Sequence, residues 1–199
     1  MGEFREIGSV VPFGSADIIK IRGTIEVQPN SETKVLDYDT LDLLELHESF
    51  KLWRGEIITN SISVEEKIEE IIIKLLFRKE VDGANLFRSI VLTRDSFSFM
   101  QKCKVFSDLL KNLLPFKERD YSSLIQKIHD IINTRNEFAH GKVNYEGAKA
   151  EKIVVDYFKE KPRSEEINTE VIEKFSQKCR ECYTELDAIL TEVHKTYCS

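Results

Sequence analysis

The sequence predicts a mainly α fold: an antiparallel bundle of four to five helices, with a β-hairpin inserted before the last helix and a short β-like segment at the N-terminus. Three observations predict it. From about residue 40 onward apolar residues recur three and four apart, the period of one helix face. Only four prolines and eight glycines occur in 199 residues, too few for the many turns of a loop-rich all-β fold. A single β-branched run, "KIVVDYF" at 152–158, breaks the helical period and is followed by a turn at Pro162.

Residues 1–40 form an N-terminal extension with its own pattern. "DIIKIRGTIEVQPN" (17–30) alternates at period two around Ile19, Ile21 and Ile25, as an exposed strand or hairpin does. It packs on the bundle or reaches a partner, and both readings stay open. The bundle is assigned to 41–199. "LDLLELHESFKLW" (41–53) and "VEEKIEEIIIKLLF" (64–77) are helical. They form one long helix, or two with the second starting at the capping-box spacing of Ser63 and Glu66.

Residues 78–94 are expected to be an irregular connection turning at Gly83. The next helix spans 96–114, with Phe99, Cys103, Phe106, Leu110 and Leu113 inward and Pro115 as its stop. Asp120 caps the following helix, and Gly141 suits a left-handed residue at its end. A β-hairpin over 152–168 precedes a last helix over about 169–195.

Composition narrows the function classes. Hydrophobic residues are 41% and charged residues 32%, as in ordinary globular chains. The longest apolar runs, such as "IIIKLLF" (71–77), fall short of the ~20 residues that span a bilayer, so no membrane partner is expected. With no start resembling a signal peptide, the expected location is cytoplasmic and the thiols are expected to be reduced. Cys179 and Cys182 form a lone CxxC. They continue an apolar stripe of Val171, Phe175, Leu186, Ile189 and Val193, so core packing is the expected role, with no metal and no cofactor.

Formal net charge is −6, but it is uneven: residues 78–120 carry nine bases against six acids. That segment is either a face that attracts phosphates or a mixed solvated surface.

The residues most suggestive of chemistry lie in "INTRNEFAH" (132–140). Stepping about 100° per residue from Arg135, its neighbours Leu124, Ile128, Ile131, Ile132, Phe138 and Ala139 all fall within about 60°. An arginine on such a stripe needs acceptors or opposite charge. Asn136 lies about 100° and His140 about 140° around. His129, Asn133, Asn136 and His140 follow one another by four, three and four residues, forming a polar ridge beside the stripe. Histidine is the side chain that exchanges protons near neutral pH, as general acid–base chemistry requires. A bland alternative stands beside this one: an arginine that ties helices together and a histidine that caps.

Arg135-Asn136-x-x-x-His140 resembles the Arg-x4–6-His motif of the HEPN superfamily of small helical bundles. "RNEFAHG" is similar to the RN-x-FAH sequence of several uncharacterised HEPN groups and of mannitol-repressor-like proteins. "SFSFMQKCKVFSDLL" resembles the sF-x-x-K helix that precedes the motif helix in many bacterial members. The resemblance covers about residues 60–195 and leaves 1–40 without a counterpart.

In catalytic members it implies a metal-independent endoribonuclease whose site is shared by two copies meeting through the motif helix. It therefore implies RNA as substrate, a homodimer, and a toxin–antitoxin or antiviral defence setting with an antitoxin or defence protein as partner. By this resemblance His140 assists proton transfer, Arg135 stabilises phosphoryl charge and Asn136 positions the phosphate or the imidazole. His129 and Asn133, added from the ridge alone, would line the substrate groove. The competing expectation is a non-catalytic dimeric interaction or regulatory protein of the mannitol-repressor-like kind, and a nucleotide-binding role is a third.

Overall fold

The computed structural model describes residues 5–6, 10–13, 17–20, 24–25, 39–94, 96–113, 115–146, 152–158 and 162–197. Its α-helices are α1 (Asp39–Phe77), α2 (Val81–Phe87), α3 (Phe99–Asn112), α4 (Ser122–His140) and α5 (Thr169–Tyr197). Its strands are β1 (Arg5–Glu6), β2 (Val10–Phe13), β3 (Asp17–Lys20), β4 (Thr24–Ile25), β5 (Lys142–Glu146), β6 (Lys152–Phe158) and β7 (Pro162–Ile167). The fold is mainly α, with a small antiparallel sheet before the last helix. Among the described residues no helix is long and apolar enough to cross a membrane.

Contacts divide the chain into two compact units, Met1–Arg54 with His140–Thr169, and Gly55–Ala139 with Glu170–Ser199. In the first unit, β2 pairs with β3 and β1 with β4, both antiparallel and in a common register. The period-two alternation thus corresponds to paired strands at Ile19 and Ile25, while Ile21 lies outside the described residues. The other sheet has the order β5-β6-β7. Its central strand buries Ile153, Val154 and Val155, and Ile153 lies opposite the equally buried Ile167. The expected hairpin is β6–β7. The third strand, β5, was not expected; it pairs from Lys142 opposite Asp156 to Glu146 opposite Lys152. Asn144 donates a hydrogen bond to Asp156 across that pair.

The second unit is the helical one. Between the two readings of residues 41–77 the structure selects a single helix. Ser63 does not cap a new start; its hydroxyl donates to the Thr59 carbonyl one turn back (3.2 Å), as Ser61 does to Ile57 (2.7 Å). Both bonds keep the serines inside a continuing helix. Ile57, Val64, Ile68, Ile71, Ile72 and Leu75 form its buried stripe.

Residues 78–94 depart from the expected irregular connection. Val81–Phe87 is helical and continues into a π-helical turn over Arg88–Leu92, with Gly83 inside the helix. A Cβ at Gly83 would come within 2.6 Å of the Glu80 carboxylate, an exposed side chain free to move aside, and 3.2 Å of the Phe77 ring. The chain reverses instead at Arg78, whose φ is +50°. Its amide donates to the Lys74 carbonyl (3.1 Å), which closes α1 with a left-handed residue. Glycine is usual there, and a side chain in this conformation costs roughly 1–2 kcal/mol.

Ser98 caps α3: its hydroxyl accepts from the Gln101 amide while the Gln101 side chain accepts from the Ser98 amide. Phe99, Cys103, Phe106 and Leu110 are buried as expected, whereas Leu113 is half-buried: the helix ends at Asn112, two residues short of the expected 114. Asp120 accepts from the Ser122 amide (2.8 Å) at the start of α4, and that bond holds its carboxyl below the usual range.

Side-chain ties fix the helix directions. Ser176 of α5 donates to Glu56 (2.6 Å) and accepts from Asn60 (3.1 Å), Lys67 donates to Asp187 (3.1 Å), and the Arg78 guanidinium stacks over Tyr197. These pairs advance together, so α1 and α5 run in the same direction. Lys127–Glu185 (2.6 Å) and Asp130–Lys178 (2.9 Å) advance oppositely, so α4 and α5 are antiparallel.

Candidate functional site on the C-terminal half of α4

Helix α4 is unbroken from Ser122 to His140, so the angular placement above applies along its length. Leu124, Ile128, Ile131, Ile132 and Phe138 are all buried. Arg135, in the middle of that stripe by angle, is only half-buried. Its guanidinium donates a hydrogen bond to the Asn136 side-chain oxygen (3.2 Å). Among the described residues no carboxylate stands within ion-pairing distance of it. Asp130, one and a half turns earlier, is occupied by Lys178 and Gln126, and those bonds hold its carboxyl below the usual range.

The ridge has graded exposure. His129 and Asn136 are half-buried, whereas Asn133 and His140 are exposed. The ridge lies on the flank of α4 away from Lys127, which reaches Glu185 of α5. Arg135 and Asn136 are joined by a hydrogen bond. Arg135 and His140 diverge by about 140° on the one helix, so a single copy of α4 does not bring them together.

The basic segment over 78–120 does not make one face. Lys102 is withdrawn into the helical unit, where its ammonium donates to Glu65 (2.5 Å) and Glu69 (2.6 Å) of α1. Burial alone would pull this ammonium down, but the two hydrogen bonds outweigh it and hold it above the ordinary lysine value. Arg119 is bound through both terminal nitrogens to Glu192 (2.6 and 2.8 Å). Arg78 and Arg88 line a cleft beside α2.

Lys102 is the lysine of the sF-x-x-K stretch, and its role is not among those that the sequence pattern points to. The signal was a lysine at the i+3 position of a helix whose inner face holds Phe99, Cys103 and Phe106; such a residue needs acids opposite it.

Cys103, Cys179 and Cys182 are buried free thiols. Burial pushes Cys103 up to about 11 and Cys179 and Cys182 up to about 12, so all three stay protonated at neutral pH. The CxxC thus belongs to the apolar stripe of α5, with Phe175, Leu186, Ile189 and Val193. Among the described residues no cluster of histidine, cysteine and carboxylate side chains could hold a metal. Compared with known proteins, the chain matches no family model, no curated protein and no solved structure.

Proposed function

We propose that the chain is a HEPN-type, metal-independent endoribonuclease acting in a toxin–antitoxin or antiphage system, with Arg135, Asn136 and His140 as its catalytic residues. The observation that carries this reading is the state of Arg135. Its guanidinium is bonded to a neutral side chain, with no carboxylate paired to it among the described residues, on a half-buried surface. A planar fork of donors in that state is suited to phosphoryl oxygens.

In the proposed step the ribose 2′-oxygen bonds to the adjacent phosphorus and the P–O5′ bond breaks. The imidazole of His140 takes the 2′-hydroxyl proton, and a proton returns to the departing 5′-oxygen. Arg135 stabilises the charge on the non-bridging oxygens, and Asn136 holds the guanidinium toward them. The products are a 2′,3′-cyclic phosphate and a 5′-hydroxyl. Because Arg135 and His140 diverge on α4, the proposed site needs the α4 helix of a second copy in a homodimer. His129 and Asn133 would line the groove.

The formal charge of −6 favours a second reading, a dimeric HEPN interaction or regulatory protein without catalysis. One experiment separates the two. Structured RNA is incubated in EDTA with wild type, Arg135→Ala and His140→Ala, and the ends are mapped. Cleavage by wild type alone, leaving cyclic-phosphate ends, supports the nuclease. Equal inertness of all three at high protein concentration favours the regulatory reading.

A further inference from the structure

Between Leu75 and Leu92, both buried, runs a stretch of the helical unit in which no residue is buried. It takes in the end of α1, all of α2 and most of the π-helical turn. Helix α3, of similar length, buries Phe99, Lys102, Cys103, Phe106 and Leu110. Even the large apolar side chains of the stretch stay in solvent: Leu76, Ile90, Val81 (67% exposed) and Leu86 (58% exposed). Packing of an apolar face supplies most of the stability of a helix in a protein, and α2 has no such packing.

The hydrogen bonds that shape the stretch are local. The Glu80 amide donates to the Phe77 carbonyl (2.8 Å) and the Ala84 amide to the Glu80 carbonyl (3.4 Å). The Ser89 hydroxyl donates to the Leu86 carbonyl and the Thr93 hydroxyl to the Ser89 carbonyl, both at 3.0 Å. Among the described residues Glu80, Asp82 and Arg88 form no ion pair. The ring of Phe87 reaches back to Phe77 at the end of α1, with centroids 5.2 Å apart and planes tilted by 45°. Such a ring pair is a weak latch, worth about twofold to tenfold in an equilibrium. A cleft of about 910 Å³, lined by residues of both α1 and α2, remains where a close-packed interface leaves no space.

We propose that residues 79–91 form a lid that swings away from α1 as one unit. Arg78 and Thr93 are its hinge points, and the Phe77–Phe87 contact is its latch. The two ends suit that role. Arg78 is held at a φ of +50°, a costly conformation for a residue with a side chain, and opening relieves it. Leu92, fully buried, anchors the far end. Opening bares Phe77 and widens the cleft onto Ile73, while the buried stripes of α1, α3, α4 and α5 keep their packing. Segments with little buried apolar surface are the ones that open locally, well below the cost of global unfolding. The lid is independent of the catalytic reading of α4.

The test is hydrogen exchange of the full chain at neutral pH, read by mass spectrometry, for wild type and Phe87→Ala. Phe87 is half-buried, so its truncation leaves the main core intact. In wild type, residues 81–91 should be protected, yet exchange at least about a hundredfold faster than the α3 peptide 99–112. Phe87→Ala should speed exchange in 81–91 by at least about twofold and leave α3 and α5 unchanged. Trypsin supplies a second readout: it should cut the native chain at Arg88 before Lys104 and Lys111, which are exposed on the well-anchored α3. Protection of 81–91 equal to that of α3 overturns the proposal, and so does a complete lack of protection, which would mean that no closed position exists. An unchanged rate in Phe87→Ala, an equal acceleration of α3 and α5, or cleavage at Lys104 or Lys111 no later than at Arg88 also overturns it.

Discussion

Replacing Lys102 by methionine is expected to be among the most damaging single changes in the helical unit. The Lys102 side chain is 8% exposed, and its partners Glu65 and Glu69 are 17% and 14% exposed. Methionine keeps the stem's volume and removes the ammonium, leaving two carboxylates facing the gap. Two like charges about 5 Å apart repel by roughly 3 kcal/mol at an effective dielectric of about 20. Breaking a buried pair by deleting one partner typically costs about 3–5 kcal/mol. For a chain of this size each kcal/mol moves the melting temperature by about 2–4 °C, so a fall of roughly 6–20 °C is expected.

The assay is thermal unfolding followed by circular dichroism at neutral pH. The triple variant Lys102→Met/Glu65→Gln/Glu69→Gln should recover at least half of the loss, because neutral side chains do not need the ammonium. A single variant melting within about 2 °C of wild type would refute the reasoning. So would a triple variant no more stable than the single one. The sign with pH follows from the raised value of this lysine. Its contribution is complete below the ordinary lysine range and is lost as pH rises through the higher folded value.

Other outcomes follow from the same geometry. Cys103, Cys179 and Cys182 should resist iodoacetamide at pH 8 in the folded protein and react on denaturation, read by mass mapping. Because folding raises these thiols above the usual 9, their protonated form favours the folded state less as pH climbs from 9 toward about 11 to 12, and stability should fall across that window. Ser98→Ala removes the α3 capping box and should cost about 1 kcal/mol in denaturant unfolding, whereas Ser98→Asp should be nearly neutral. Phe106→Ala, at a fully buried position of α3, should cost about 3–5 kcal/mol in the same measurement.

Where one face of an element is buried, the sequence was informative. The stripes Phe99-Cys103-Phe106-Leu110 and Phe175-Cys179-Cys182-Leu186-Ile189-Val193 carry a 3.6-residue period, and each of these residues is buried. The β-branched Ile153-Val154-Val155 run located the central strand of the sheet. What escaped had no period to detect. Strand β5, "KVNYE", is five residues long and is defined by its partner β6. Helix α2 buries nothing, so no apolar face announced it. The continuity of α1 was ambiguous because Ser63 and Glu66 have the spacing of a helix start, and only the Thr59 carbonyl accepting the Ser63 hydroxyl decides between the two.

At the candidate site, angle alone placed Arg135 on the apolar stripe and the ridge beside it. The partner of the guanidinium was not legible, since a neighbouring asparagine and a distant carboxylate satisfy an arginine equally well in a linear pattern.

The central claim, strand cleavage by a ribose 2′-oxygen at a site built on Arg135 and His140, is tested most directly by a substrate altered at one atom. A short RNA with a mapped cleavage site is compared with the same RNA carrying a single 2′-deoxynucleotide on the 5′ side of the scissile phosphate, both in EDTA. The account predicts that cleavage at that position disappears while neighbouring sites persist. Cleavage continuing at the deoxy position, or RNA left intact at every position by the wild type, would contradict it.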